Sequence, residues 1–165
     1  VWRILFNLSA PRSFIKSHDQ TLELRYITQA TIDLYPILQK QVDFTCGAVV
    51  QFLGVVRNHH HGKSVTQLFY DCYSVMAEKQ IGDIIKRAEI DFSVKDIFVK
   101  HRVGWLSVGE VAVVVQVASA HRAEAFQACH WVIDHVKSDV PIWKKECYED
   151  GTSEWILSCQ DHILQ

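Results

Sequence analysis

The stretch Lys137-Ser-Asp-Val-Pro-Ile-Trp-Lys-Lys-Glu146 sets three ammonium groups around a proline that no helix can run through. The Pro141 ring would clash with the carbonyl of Lys137, and residue 140 is pushed out of the helical region. Lys137 is therefore expected in the last turn of a helix, and Lys144 on an extended segment after it. Two amines from different elements can then converge on one pocket. Side chains alternate along an extended segment, so Ile142, Lys144 and Glu146 share one face while Trp143, Lys145 and Cys147 share the other. At most one of Lys144 and Lys145 points into a given pocket. A lysine desolvated among other cations can act as acid, base or nucleophile. The competing reading of the same residues is a solvated charged strand.

A second cationic group is Ser119-Ala-His-Arg122. Ser119 ends a buried strand and is a natural N-cap, which predicts His121 and Arg122 in the first turn of the next helix. Cations there oppose the positive end of the helix dipole by roughly 0.3–1 kcal/mol each. A bound anion reverses the sign, because free backbone N–H groups and the two side chains then act together. A phosphate or carboxylate site is the expectation, with an Arg122 facing solvent or a distant acid as the alternative. Arg57 follows the strand that ends Gly54-Val-Val56, where a loop can overhang a pocket. His59, His60 and His61 are read as a mobile polar loop and not a metal site. Three consecutive histidines cannot easily aim at one ion, and no Asp, Glu or Cys stands at ligand spacing. The sequence contains no G-x-x-x-x-G-K-[ST], G-x-G-x-x-G, G-x-S-x-G or H-E-x-x-H. Cys72 and Cys129 fall within apolar segments and read as core. Cys147 is the cysteine beside the lysines, and a thiol or persulfide role stays open for it.

These residues sit on a chain of 165, with 48% hydrophobic content, which predicts one compact domain with a sizeable core. Seventeen basic against nineteen acidic residues give a net charge of −2. No global cationic field calls for nucleic acid, so anion recognition must be local. No apolar run reaches the roughly 20 residues that span a bilayer. Five cysteines without a C-x-x-C pair point to a reducing compartment, the cytosol. Residues 1–18, with Arg3, Arg12 and Lys16 but no acid before Asp19, read as a flexible or non-native tail, with a transit-type composition as the alternative. Residues 19–165 read as a single domain.

The positioning elements follow from periodicity. Strands are expected over Leu22–Ile27, Gly47–Val56, Val65–Tyr73 (as the strand returning from the His loop), Ile97–Val103 and Val111–Ser119, the last two around a Gly104–Gly109 turn region. A short helix over Thr31–Lys40 is broken near Pro36, and a longer one covers Met76–Glu89. Ala120–Val140 is the main helix, with Phe126, Cys129, Ile133 and Val136 on one stripe. Ile142–Tyr148 and Glu154–Leu157 form a hairpin closed by Glu149–Ser153. Strands with interspersed helices and hairpins indicate α+β.

Together, Cys46-Gly-Ala…Gly54-Val-Val-Arg-Asn58, Met76-Ala-Glu-Lys79, His101-Arg-Val-Gly104, Ser119-Ala-His-Arg122 and Lys137…Pro141-Ile-Trp-Lys-Lys-Glu146 resemble the catalytic, large subunit of molybdopterin synthase. The resemblance covers residues 46 to 155, and its Pro-Ile-Trp-Lys-Lys-Glu form is closer to animal members than to bacterial ones. It implies an α/β-hammerhead-type fold with an additional small antiparallel sheet. It also implies a central dimer of large subunits, with a small ubiquitin-like subunit at each end of the resulting heterotetramer. That partner's C-terminal Gly-Gly thiocarboxylate supplies sulfur to cyclic pyranopterin monophosphate, forming the dithiolene of molybdopterin without metal or cofactor. Carried over, Lys137 and Lys144 are the catalytic lysines. Arg57, His121 and Arg122 line the anionic pocket with Lys137, Lys144, Lys145 and Glu146, and His121 and Arg122 reach across the dimer. One departure is the absence of any Lys or Arg after Lys145, where bacterial members carry an arginine shortly after the match to Trp155. The first forty residues carry none of the family's marks. The rival readings are a non-catalytic module holding a phosphopterin or nucleotide, and a sulfurtransferase centred on a Cys147 persulfide.

Overall fold

Residues 25–156 are described by the structure, a computed structural model of the chain. The expected tail 1–18 and residues 22–24 of the first expected strand lie outside the described residues. In chain order the elements are β1 (Ile27–Thr28), α1 (Leu34–Leu38), β2 (Ala48–Val55), β3 (His59–His60), β4 (Lys63–Cys72), α2 (Ser74–Asp91), β5 (Asp96–Arg102), β6 (Gly104–Ser107), β7 (Val111–Ser119), α3 (Arg122–Asp139), β8 (Ile142–Tyr148) and β9 (Ser153–Ile156).

The near-continuous apolar run of β7 has no polar face to give to solvent, so it must be covered on both sides. It lies inside a four-stranded sheet of order β1-β5-β7-β2, antiparallel to both neighbours, with β1 parallel to β5. Val113, Val115 and Val117 face α2 and α3, while Val114 packs with Ile32 and Ile37 on the other side. Both long helices present a buried stripe at helical spacing, Ala77, Ile81, Ile84, Ile85 and Ala88 on α2 and Ala125, Ala128, Cys129, Val132, Ile133 and Val136 on α3. Phe126, expected on that stripe, is 63% exposed. Ala125 takes the inward position, because a helix packed closely against a sheet has little room for a ring. No helix among the described residues is long and apolar enough to cross a membrane.

A second sheet runs β3-β4-β8-β9, with β6 also paired to β4. It has its own small core of Val56, Val65, Leu68, Leu106, Ala112 and Tyr148. The expected hairpin of β8 and β9 is present, with Lys144 opposite Ile156. Three expectations are corrected. The strand after the histidines does not return onto β2: β2 pairs with β7, and β4 pairs with β3, β6 and β8. The tight turn at His61 (φ 46) and Gly62 (φ 78) folds β4 back onto β3 alone. The Gly104–Gly109 segment is not all turn, since Gly104–Ser107 forms β6. Finally, Pro36 does not break its helix. It is the third helical residue, where a missing N–H has no intrahelical acceptor to lose, and the Asp33 side chain caps the turn by accepting from Tyr35 N at 3.0 Å.

Gly47 marks the place where β2 passes the start of α3. A Cβ there would stand 2.7 Å from the Ala120 carbonyl oxygen. That oxygen is backbone and cannot swing aside. Gly47→Ala is therefore expected to lower the urea unfolding midpoint, corresponding to about 1–3 kcal/mol, with an unchanged m-value.

Candidate active site

The expected helix break is observed. α3 ends at Asp139, its C-cap Val140 is extended (φ −83, ψ 132), and Lys137 stands in the last turn. The chain then enters β8 with Ile142 opposite Cys72 and Lys144 opposite Tyr70. The Pro141 carbonyl accepts from Tyr73 N at 3.2 Å, which ties this corner to the start of α2. Lys137 Nζ lies 5.7 Å from the Phe52 ring centroid, a cation–π contact with β2. Lys144 follows Pro141 by three residues, about 10 Å of strand. The two lysines flank one corner from different elements.

Strand alternation works as expected along β8. Lys144 Nζ meets Glu146 Oε1 at 3.0 Å, and Glu146 is only 3% exposed. Its second oxygen, Oε2, is 2.9 Å from His60 Nδ1 and 3.1 Å from the Tyr148 hydroxyl. The Tyr148 hydroxyl also makes a short hydrogen bond to Glu154 Oε1, which accepts from Lys63 Nζ at 3.0 Å. Desolvation alone would raise the Glu146 carboxyl. Hydrogen bonds from Lys144 and Tyr148, with the Lys144 and His60 charges, outweigh it and hold the carboxyl below its ordinary range. Glu154 is held low in turn by Tyr148 and Lys63. Tyr148 is pushed up, first by burial and then by its two carboxylate partners. Tyr70 is pushed up to about 12 by burial and by the Glu146 charge, so it stays protonated beside Lys144.

Lys145 and Cys147 take the opposite face. In register across the sheet, Lys145 lies between Phe69 and Trp155, with Trp105 beyond Phe69. The Phe69 ring is 4.9 Å from Trp105 and 6.3 Å from Trp155. Cys147 is thus turned away from Lys144. Cys129 is core as expected, its thiol pushed up to about 11 by burial. Among the described residues, no group of three or more His, Cys, Asp or Glu is placed to hold a metal ion.

The remaining cations are divided. Arg57 is exposed just past the end of β2 where Val55 faces Val111, and Val56 N donates to Glu110 O at 3.0 Å to pin that end. His121 and Arg122 follow Ser119, which faces Ala48 at the other end of the same strand pair. The seven steps from Ala48 to Val55 are about 24 Å of strand. Lys137 is likewise about 22 Å along α3 from Arg122. Within one chain, Arg57 and Lys137 do not share a pocket with His121 and Arg122.

Two expectations are corrected at this level. Ser119 is not the N-cap of α3. It remains in β7, 2% exposed, and His121 occupies the cap position in extended conformation without a side-chain bond. The strand ladder to Ala48 holds Ser119, and Glu124 supplies the acid in the first turn. Nor are the histidines a mobile loop, since His60 is 6% exposed and bonded to Glu146. The sequence carried a signal for this contact: a two-residue turn ending in glycine, and Tyr148 in phase with Lys144 and Glu146.

The family model described as MoaE protein matches residues 27–139. The chain belongs to the MoaE family. It is 39% identical over 149 residues to the molybdopterin synthase catalytic subunit of Rattus norvegicus, covering 88% of this chain and 74% of the rat protein. The crystal structure of molybdopterin synthase from Staphylococcus aureus superposes with a TM-score of 0.76 at 32% identity, over 82% of this chain and 98% of that one. At 20% identity, a chain from the complex of subunits 1 and 2 of the molybdopterin-converting factor of Helicobacter pylori shares the fold, with a TM-score of 0.63 over 83% and 90%. The α+β class with its additional small sheet is that of MoaE structures, and a MoaE chain has a catalytic role in molybdopterin biosynthesis. The MoaE match ends at Asp139, just before Lys144 and Glu146.

Behind Tyr70, 5.1 Å away edge-on, lies the buried ring of His101, which burial pushes down to about 4 despite its hydrogen bond to the Arg102 carbonyl. The unfolded chain, with an ordinary histidine, binds this proton more tightly than the fold does. Stability is therefore full above the ordinary value and lost as pH falls from about 6.5 toward 4, by on the order of 3 kcal/mol. Urea midpoints measured between pH 7 and 4.5 are expected to fall, and His101→Phe is expected to flatten that slope.

Proposed function

We propose that this chain transfers sulfur from the C-terminal thiocarboxylate of a small ubiquitin-like subunit to cyclic pyranopterin monophosphate, building the dithiolene of molybdopterin. The observation that carries the reading is the pair of lysines at the Pro141 corner of a MoaE chain, one of them fixed by the buried Glu146. Both reactants are anions, a phosphate ester and a thiocarboxylate, so cations are needed twice. Lys137 steers the thiocarboxylate, and Lys144 protonates or orients the oxygen that sulfur displaces on the pterin side chain. The two roles can be exchanged without changing the site. The small subunit as partner is supported by the two-subunit complex of the Helicobacter pylori relative.

The spacing of cations supports a dimer of large subunits inside a heterotetramer. His121 and Arg122 complete the anion pocket with Arg57, Lys137, Lys144 and Glu146 only when a second copy brings them there, while Lys145, on the opposite face of β8, stays outside it. Cys46, Cys72, Cys129 and Cys147 are free, which suits a cytosolic enzyme.

The direct test mixes the chain with a thiocarboxylated small subunit and the cyclic pterin and assays for dithiolene. Lys144→Ala is expected to lower kcat by about 10²–10⁴-fold, while Cys147→Ser retains activity. Pterin bound without turnover would favour the non-catalytic module, and a normal rate from Lys144→Ala would end the catalytic assignment. A second measurement tests the shared site. Lys144→Ala and Arg122→Ala chains are each expected to be impaired, yet mixed dimers carry one intact composite site and regain activity. No recovery on mixing would place both residues in one chain's site.

A further inference from the structure

Glu146 and Glu154 are both held ionised by their partners, and an ionised carboxylate only accepts hydrogen bonds. Tyr148 has one hydroxyl proton and two carboxylates within reach. Its contact to Glu154 Oε1 is the shorter, against 3.1 Å to Glu146 Oε2. One proton cannot serve both carboxylates fully, so Glu146 Oε2 relies chiefly on His60 Nδ1 at 2.9 Å. Nδ1 of that ring must then carry a proton. The hairpin fixes this arrangement, because His60 faces Lys63 across a turn whose two central residues both have positive φ. A one-residue slip would turn His60 out of the sheet.

We propose that His60 is a positioning residue for this chain's reaction: its Nδ1–H anchors one oxygen of Glu146 so that the other holds the Lys144 amine in place. The inference rests on the catalytic role proposed for Lys144. A lysine amine on a four-carbon stem has no geometry of its own. It takes one from Glu146, and Glu146 takes its own from His60. Without that donor the buried carboxylate swings toward its remaining partners and carries the ammonium with it. A displacement of about 1 Å at a reacting group costs up to about 10²-fold in rate.

The test compares His60→Leu, which fills the space without a donor, with His60→Asn, whose amide nitrogen falls near the Nδ1 position. His60→Ala carries the same test should the leucine variant not fold. With the thiocarboxylated partner and cyclic pterin, His60→Leu is expected to lower kcat by about 10- to 100-fold while KM for the partner stays near wild type. His60→Asn is expected to stay close to wild type. In a Lys144→Ala background, His60→Leu should add no further loss, because the group it positions is gone. A readout without turnover is the ¹⁵N signal of the Lys144 ammonium in the complete protein, assigned by its absence from Lys144→Arg. It is expected to be sharp in wild type and His60→Asn and lost in His60→Leu. Equal losses from Leu and Asn, an undiminished loss in the Lys144→Ala background, or an unchanged ammonium signal in His60→Leu would each overturn the proposal. If wild type makes no dithiolene, the sulfur-transfer reading fails, while the ammonium signal still decides whether His60 positions Lys144.

Discussion

A carboxylate with almost no solvent contact must be met on every side, or it gives up its charge. Glu146 keeps that charge because two elements supply its partners: β8 itself through Lys144 and Tyr148, and β3 through His60. The second sheet depends on this meeting. Its core is small, six buried residues, and it borrows Val56 from just past the end of β2 and Ala112 from β7 of the first sheet. The polar network on one side of β8 adds what that core lacks, a reason for β3, β4, β8 and β9 to hold one register. A slip of any of these strands would strand an ionised carboxylate in an apolar interior, at a cost of several kcal/mol.

The larger sheet works by the opposite principle. β7 is specified by an almost unbroken apolar run, its buried Gln116 amide accepting from Gln51 Nε2 at 3.1 Å, so helices on one face and α1 on the other enclose it. This rigid slab gives α3 its direction, and Pro141 ends α3 where the slab meets the second sheet. Lys137 belongs to the slab and Lys144 to the smaller sheet. The proposed site thus lies at the seam between a unit held by apolar packing and one held by a polar network. Such a seam can present charges without burying them unpaired.

Legibility in the sequence followed the range of the physics involved. The break at Pro141, the placement of Lys137 and Lys144, the β7 run and the β8–β9 hairpin all rest on neighbours a few residues apart, and all were readable. The pairing of β4 was not, because a strand's partner is chosen by the whole sheet and not by the nearest turn. Ser119 looked like a cap by residue type, but its ladder to Ala48 outweighed that preference. His60 was hidden for a related reason. Three histidines and a glycine have the composition of a solvated loop, and only the turn geometry shows that one ring points inward. Its partner lies 86 residues away, beyond the reach of any local pattern.

The division of cations at opposite ends of the β2–β7 pair bears on how two anions can share a site. A phosphate and a thiocarboxylate brought together repel each other, and a single cluster of cations on one chain would itself be repelled before either arrived. Distributing the charges avoids this. Each chain alone keeps Arg57 and Lys137 about 20 Å of backbone or more from His121 and Arg122, well beyond the screening length of roughly 8–10 Å at physiological salt. In the proposed dimer, two-fold symmetry makes any such contact reciprocal, so one interface completes two identical sites. The cationic field then exists only in the assembled form. A chain with net charge −2 can hold two anions there without being a general anion binder before assembly.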